Sequence, residues 1–182
     1  MLPQLNILTL PERRKQVESE MNRMKIDAVY WPPILCANTI TSISKGFKQI
    51  VKFAKDNNLP EIHIAEDDIQ FTSLRGWQYY LDNKPAEYDI YLGGHYSGIA
   101  LPDNSIYGFT GLTLFSIRKS FYDTFLSVSE VRNIDGAMAG LGKFYICNPS
   151  VAKQINGYSF HRKKVINDDI HLEGRKFLSD EP

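Results

Sequence analysis

Short apolar segments alternate with amphipathic helical stretches along the first half of this chain, and that alternation restricts its fold most. Asn6-Ile-Leu-Thr-Leu10 reads as a buried strand, followed by Pro11 at a helix start, where its missing N–H costs nothing. Val17, Met21 and Met24 then recur at helical spacing within a charged segment. Ala28-Val-Tyr-Trp31 reads as a second strand, stopped by Pro32-Pro33. From Thr41 to Lys55, the residues Ile43, Phe47, Ile50, Val51 and Ala54 form the stripe of a second helix capped by Thr41 or Ser42. Glu61-Ile-His-Ile-Ala65 is a third strand, in which Ile62 and Ile64 alternate with polar neighbours. A short helix around Trp77, Tyr80 and Leu81 follows, then a strand Asp89-Ile-Tyr-Leu92 closed by Gly93-Gly94. Such a series implies an α/β sandwich with a mostly parallel central sheet.

The second half changes texture. Ile106 to Ile117 is rich in aromatic, Thr and Gly residues and predicts one or two strands. Ser120 to Val128 predicts a helix packed through Phe121 and Phe125, and Asp135-Gly-Ala-Met-Ala139 a short helix beginning at Asp135. Phe144-Tyr-Ile-Cys147 predicts a strand ended by Pro149. The 182 residues suffice for one domain, expected over 1–166, with 167–182 as a polar tail. Lys+Arg 21 against Asp+Glu 21 leaves no global positive field, which argues against nucleic acid as the main partner. No apolar run approaches the roughly 20 residues that span a bilayer. Leu5 to Leu10 before Glu12-Arg13-Arg14-Lys15 is unlike a secretory signal, and Cys36 and Cys147 lack metal-type spacing. The expected location is the cytoplasm, with both thiols reduced.

Chemistry concentrates at Glu66-Asp67-Asp68, where the third strand ends. Alternate side chains of an extended segment share a face, so Glu66 and Asp68 are expected on one side and Asp67 on the other. Crowded carboxylates repel unless a cation or donor groups neutralise them. Parallel α/β sheets bind ligands beyond the carboxyl ends of their strands, where Leu10-Pro11 also falls, so both segments are expected to face one crevice. These acids suit Mg²⁺ or Mn²⁺ held against a diphosphate; a solvated acidic turn is the competing reading.

Other candidates are equally two-sided. Arg13-Arg14-Lys15 offers guanidiniums that would fork onto phosphate or a base carbonyl, or else a solvated helix face. Asp135 is either a general base or a helix N-cap. His161 either completes a metal shell or lies on the surface, and His95 beside Gly93-Gly94 is open in the same way. Arg162-Lys163-Lys164 closes over phosphates, touches an anionic membrane surface, or merely solubilises the chain.

Taken in order, these segments resemble glycosyltransferase family 25, which includes bacterial lipooligosaccharide galactosyltransferases and collagen galactosyltransferases. The resemblance spans roughly residues 5 to 165. It rests on Asn6 to Arg14, Ser44-Lys45, Glu66-Asp67-Asp68, Gly111 to Lys119, and Asp135 through Pro149 with Gln154 and Ser159. It implies a GT-A-type fold and metal-dependent, inverting transfer of a hexose, such as galactose, from a UDP-sugar donor. The acceptor would be a glycan or a lipid-linked lipooligosaccharide, with peripheral contact at the inner membrane face. By the same resemblance Asp68 is the principal metal ligand and Glu66 binds the ribose or assists the metal. Leu10, Arg13, Arg14, Ser44 and Lys45 are then expected around the nucleotide, and Asp135 as the base. Lys45 stands where the family has His, and the chain is short for the fold. Those two departures motivate a second reading, a catalytically idle module that binds a nucleotide sugar or a partner. A metal-dependent phosphoesterase is a third, and it lacks the His/Asp ligand series that two metals require.

Overall fold

The computed structural model describes residues 3–159, 164–167, 169 and 172–180. The first strand, β1 (Leu5–Leu8), runs through Leu10 into a 3₁₀ turn at Pro11–Arg13 and then α1 (Arg14–Met24). Val17, Met21 and Met24 are buried as their spacing predicts, and Lys25 ends the helix in the left-handed conformation, with φ 54°. β2 (Ala28–Trp31) leads to α2 (Thr39–Asp56), which starts earlier than expected. Its cap is Asn38, whose side-chain oxygen accepts from the Ile40 N–H at 2.8 Å, rather than Thr41 or Ser42. The Ser42 hydroxyl instead accepts from the Cys36 N–H at 2.9 Å and ties down the preceding loop.

β3 (Glu61–Glu66), β4 (Ile69–Phe71), α3 (Gly76–Asp82) and β5 (Ile90–Gly94) follow. Gly93 and Gly94 are the last two residues of β5 and close it as expected. A Cβ on Gly94 would sit 2.3 Å from the Ala152 carbonyl oxygen, and one on Gly93 2.4 Å from Leu114 Cδ2. Close approach of the Leu114 side chain at Gly93 and of the Ala152 backbone at Gly94 requires them. The hairpin β6 (Ser97–Ala100) and β7 (Ile106–Thr110) precedes β8 (Leu114–Arg118). Then come α4 (Tyr122–Ser127), α5 (Ile134–Met138), β9 (Phe144–Ile146), β10 (Ala152–Gln154), β11 (Gly157–Ser159) and β12 (Lys164–Ile166).

Six strands form the central sheet in the order β2-β1-β3-β8-β5-β9. β8 alone runs against its neighbours, so the sheet is mostly parallel. Alternation divides the apolar side chains between two cores. Ile62, Ile64, Ile90, Leu92, Phe115 and Ile117 pack under α2, α4 and α5, whereas Leu5, Ile7, Ala65, Tyr91 and Leu114 pack with residues of α1 and α3. The polar partners of Ile62 and Ile64 are therefore not exposed. His63 is 2% exposed, its Nδ1 lies 2.6 Å from the Ser116 hydroxyl, and that hydroxyl meets Tyr80 Oη at 2.7 Å. Tyr80 in turn donates to the Tyr91 carbonyl at 2.8 Å, which completes a polar chain under α3.

Part of the expected C-terminal tail is docked on the domain. Leu172 and Leu178 are buried, Ser150 bridges to Phe177, and the Asp180 carboxylate accepts from the Leu74 N–H. Among the described residues no helix is long and apolar enough to cross a membrane.

Candidate active site

Register assembles the site. β1 pairs with β3 so that Leu8 lies opposite Glu66, which sets the chain after β1 beside the acidic triplet. β3 ends at Glu66, and Asp67-Asp68 form a turn into β4, so strand alternation no longer sorts their side chains. Asp67 and Asp68 converge on one guanidinium instead of facing opposite ways. Arg13 Nη1 donates to Asp67 Oδ1 at 3.0 Å and to Asp68 Oδ2 at 2.7 Å. Asp67 Oδ2 accepts the Leu10 N–H at 2.7 Å, pinning the turn after β1.

These groups line a cleft of about 730 Å³ beyond the carboxyl ends of β1 and β3. Leu10, Arg13, Ser44, Glu66, Asp67, Asp68 and Asp135 all border it, joined by Tyr96, Gly111 and Gln154. The solvated-turn reading fails, because Asp67 is only 7% exposed and the Asp68 side chain 19%. Arg14 and Lys45 are absent from the lining. Arg14 pairs with Glu18 at 2.5 Å and stacks 3.5 Å from the centre of the Tyr30 ring, and Lys45 faces Glu130 at 3.9 Å. His161, Arg162 and Lys163 lie outside the described residues. His95 is buried away from this cleft in a smaller cavity of about 260 Å³.

Charge in the cleft is unbalanced. Its charged lining, among the described residues, is one guanidinium (Arg13) and four carboxyls (Glu66, Asp67, Asp68, Asp135). Burial, then the neighbouring Asp68, Asp67 and Asp135, holds the Glu66 carboxyl well above its ordinary range, with Gln154 opposing. Burial also pushes Asp68 up to about 6, against the pull of Arg13. Among the described residues, neither Asp68 Oδ1 nor the Ser44 hydroxyl, both buried, has a hydrogen-bond partner. Asp135 is held by backbone. Its Oδ2 accepts from the Gly111 N–H at 2.9 Å and its Oδ1 from the Gly136 N–H at 2.7 Å.

No group of three or more His, Cys, Asp or Glu among the described residues forms a metal cage. The donor set fits a looser arrangement. Mg²⁺ commonly takes one or two protein carboxylates and completes its shell with phosphate oxygens and water. The orphaned Asp68 oxygen, with Glu66 beside it, matches that demand.

Sequence reasoning quoted Gln154 without a role and passed over Tyr96. Gln154 Nε2 donates to Glu66 Oε2, and Tyr96 Oη donates to Gln154 Oε1. The signal for Tyr96 was slight, an aromatic two residues past Gly93-Gly94.

No protein-family model and no curated protein matches the chain. Solved structures do. The A197 protein of STIV aligns with 13% identity and a TM-score of 0.57 over 91% of this chain and 93% of its own. The inositol-1-phosphate CTP transferase from T. maritima aligns with 12% identity and a TM-score of 0.51 over 94% of this chain and 77% of its own. The fold is a GT-A-like α/β sandwich, and at this identity the likeness reaches the fold alone. Membership of family 25 is not carried by these matches.

Proposed function

We propose that the protein is a metal-dependent glycosyltransferase that moves a hexose from a UDP-sugar to a glycan or lipid-linked acceptor with inversion. The observation that carries this reading is the acidic cleft at the strand ends, with its orphaned Asp68 oxygen. The excess of four carboxyls over one guanidinium disfavours a diphosphate unless a divalent cation joins it to them. Asp68 and Glu66 would hold that cation, which, when bound, neutralises charge growing on the departing diphosphate. The cleft volume lies within the range of roughly 300–1,000 Å³ usual for small-molecule sites. Its apolar wall of Leu8, Pro33, Ile40 and Ile43 offers a surface for a base.

In the reaction the acceptor hydroxyl gives its proton to Asp135 as its oxygen bonds the anomeric carbon. The bond from that carbon to the phosphate oxygen breaks on the opposite face, and its electron pair leaves with UDP. The two backbone N–H groups on Asp135 aim its carboxylate. The Ser44 hydroxyl, which borders the cleft and has no partner among the described residues, would meet the nucleotide.

The test is a thermal-shift and product screen of nucleotide sugars with and without Mn²⁺. A melting point raised by UDP-sugar only with Mn²⁺, and UDP released in its presence, support the reading. No shift with any uridine or guanosine compound removes it. The likeness to a CTP transferase favours a second reading, nucleotidyl transfer, which would release pyrophosphate instead of UDP. Against it, the first glycine of the chain is Gly46, so the turn after β1 has no glycine cradle for a triphosphate.

A further inference from the structure

We infer that Tyr96 and Gln154 act as one positioning unit that fixes the Glu66 carboxylate in the cleft, an inference that rests on the transferase reading above. Gln154 is held on both sides along its backbone. It lies opposite Ile69 in the β4–β10 ladder, and the next residue, Ile155, donates its N–H to the Asp68 carbonyl at 2.7 Å. Its amide bridges two groups of unlike need. The Glu66 oxygen takes a hydrogen from Nε2, and Oε1, which can only accept, takes the Tyr96 hydroxyl proton.

An ionised Glu66, which can only accept, draws the Nε2 end of the amide, and the Tyr96 hydroxyl holds the other end in place by donating to Oε1. Reversed, the amide would set a carbonyl oxygen against a carboxylate. Tyr96 is fixed in turn: its N–H donates to the Thr110 carbonyl at 2.6 Å, and its own carbonyl accepts from Arg175 Nη2 at 2.7 Å. Gly111 gives the ring its room, because a Cβ there would lie 2.5 Å from Tyr96 Cδ2. The same Gly111 donates to Asp135, so one turn orients both Asp135 and the Tyr96–Gln154–Glu66 chain.

A kinetic double-mutant cycle and a spectroscopic readout on the full chain test this. Tyr96→Phe and Gln154→Leu are each expected to lower kcat about tenfold to a hundredfold, the usual cost of removing a group that orients a ligand-binding side chain. Because Glu66 would hold the cation that joins the diphosphate to the protein, the Mn²⁺ concentration giving half-maximal rate should rise in both variants. The double variant should lose much less than the product of the two single losses, because Tyr96 reaches Glu66 through the amide. Losses that multiply would overturn the inference, as would a Tyr96→Phe variant of wild-type kcat. Independently of activity, the Gln154 side-chain amide protons should be displaced and slow to exchange by NMR, and Tyr96→Phe should return them to the position of a free glutamine. A free-glutamine signal in the wild type sinks the chain of contacts. If the wild type turns over no nucleotide sugar while the amide signal responds as described, the transferase reading falls and the positioning unit stands.

Discussion

Replacing Arg13 with methionine would remove the only cation among the described residues lining the cleft and keep most of the side chain's bulk. Nη1 makes charge-assisted hydrogen bonds of 3.0 and 2.7 Å to Asp67 and Asp68, and all three side chains are less than one-fifth exposed. Deleting one member of a buried ion pair costs about 3–5 kcal/mol because the remaining charge is stranded, and residual exposure here sets the expectation near the lower end, about 3 kcal/mol. For a domain of this size about 3 kcal/mol lowers the melting temperature by roughly 6–12 °C. The loss should grow with pH, since more of the stranded carboxyls ionise. Divalent cations provide the control. If Asp68 and Glu66 hold a cation, saturating Mn²⁺ should restore much of the lost stability, about 2.7 kcal/mol at a hundredfold excess over Kd. Calorimetry with and without Mn²⁺ reads both quantities. A Tm change of less than about 2 °C, smaller than about 1 kcal/mol would produce, would show that Arg13 does not offset these carboxyls.

Other perturbations follow from the same coordinates. Asp135→Asn should lower kcat about 10²–10⁴-fold, with the Mn²⁺-dependent thermal shift by UDP retained, whereas Asp68→Asn should abolish that shift. Retention of full turnover by either variant refutes its assigned role. Gly94→Ala drives a methyl toward the Ala152 carbonyl, and urea unfolding should show a loss of about 3 kcal/mol; Gly136→Ala, with nothing within 4 Å, should stay within about 0.5 kcal/mol. Burial lowers His63 to about 4, and burial with Arg175 lowers His95 to about 3. Keeping these rings neutral contributes stability that is complete above the unfolded value near 6.5 and is lost as pH falls from there toward 4. For His63 this amounts to about 3 kcal/mol. Asp68 opposes in sign: its folded value is raised, so its cost is relieved as pH falls through about 6. Imidazole NMR signals of His63 or His95 that titrate above pH 6 would contradict this account.

The order of elements was legible because it depends on local periodicity. The stripe of Val17, Met21 and Met24, the β2 segment before Pro32-Pro33 and the acidic end of β3 all lie where spacing and proline place them. Boundaries set by single side chains were less so. Asn38 caps α2 because its carbonyl reaches the Ile40 N–H, a contact that no periodicity announces. Gly93-Gly94 close β5 as expected, but the contact that needs glycine at position 94 comes from Ala152, far along the chain, and no local pattern announces it.

By itself the sequence determined that carboxylates would gather beyond a parallel strand near Leu10, since strand direction and the βα connection follow from local pattern. Tertiary structure alone decided their company. Pairing of β1 with β3 delivered Arg13 to Asp67 and Asp68, while an i,i+4 partner and the Tyr30 ring drew Arg14 away. The β4–β10 ladder brought Gln154 to Glu66 across 88 residues. Such contacts depend on register and on how layers stack, quantities to which a residue's near neighbours in the chain contribute almost nothing.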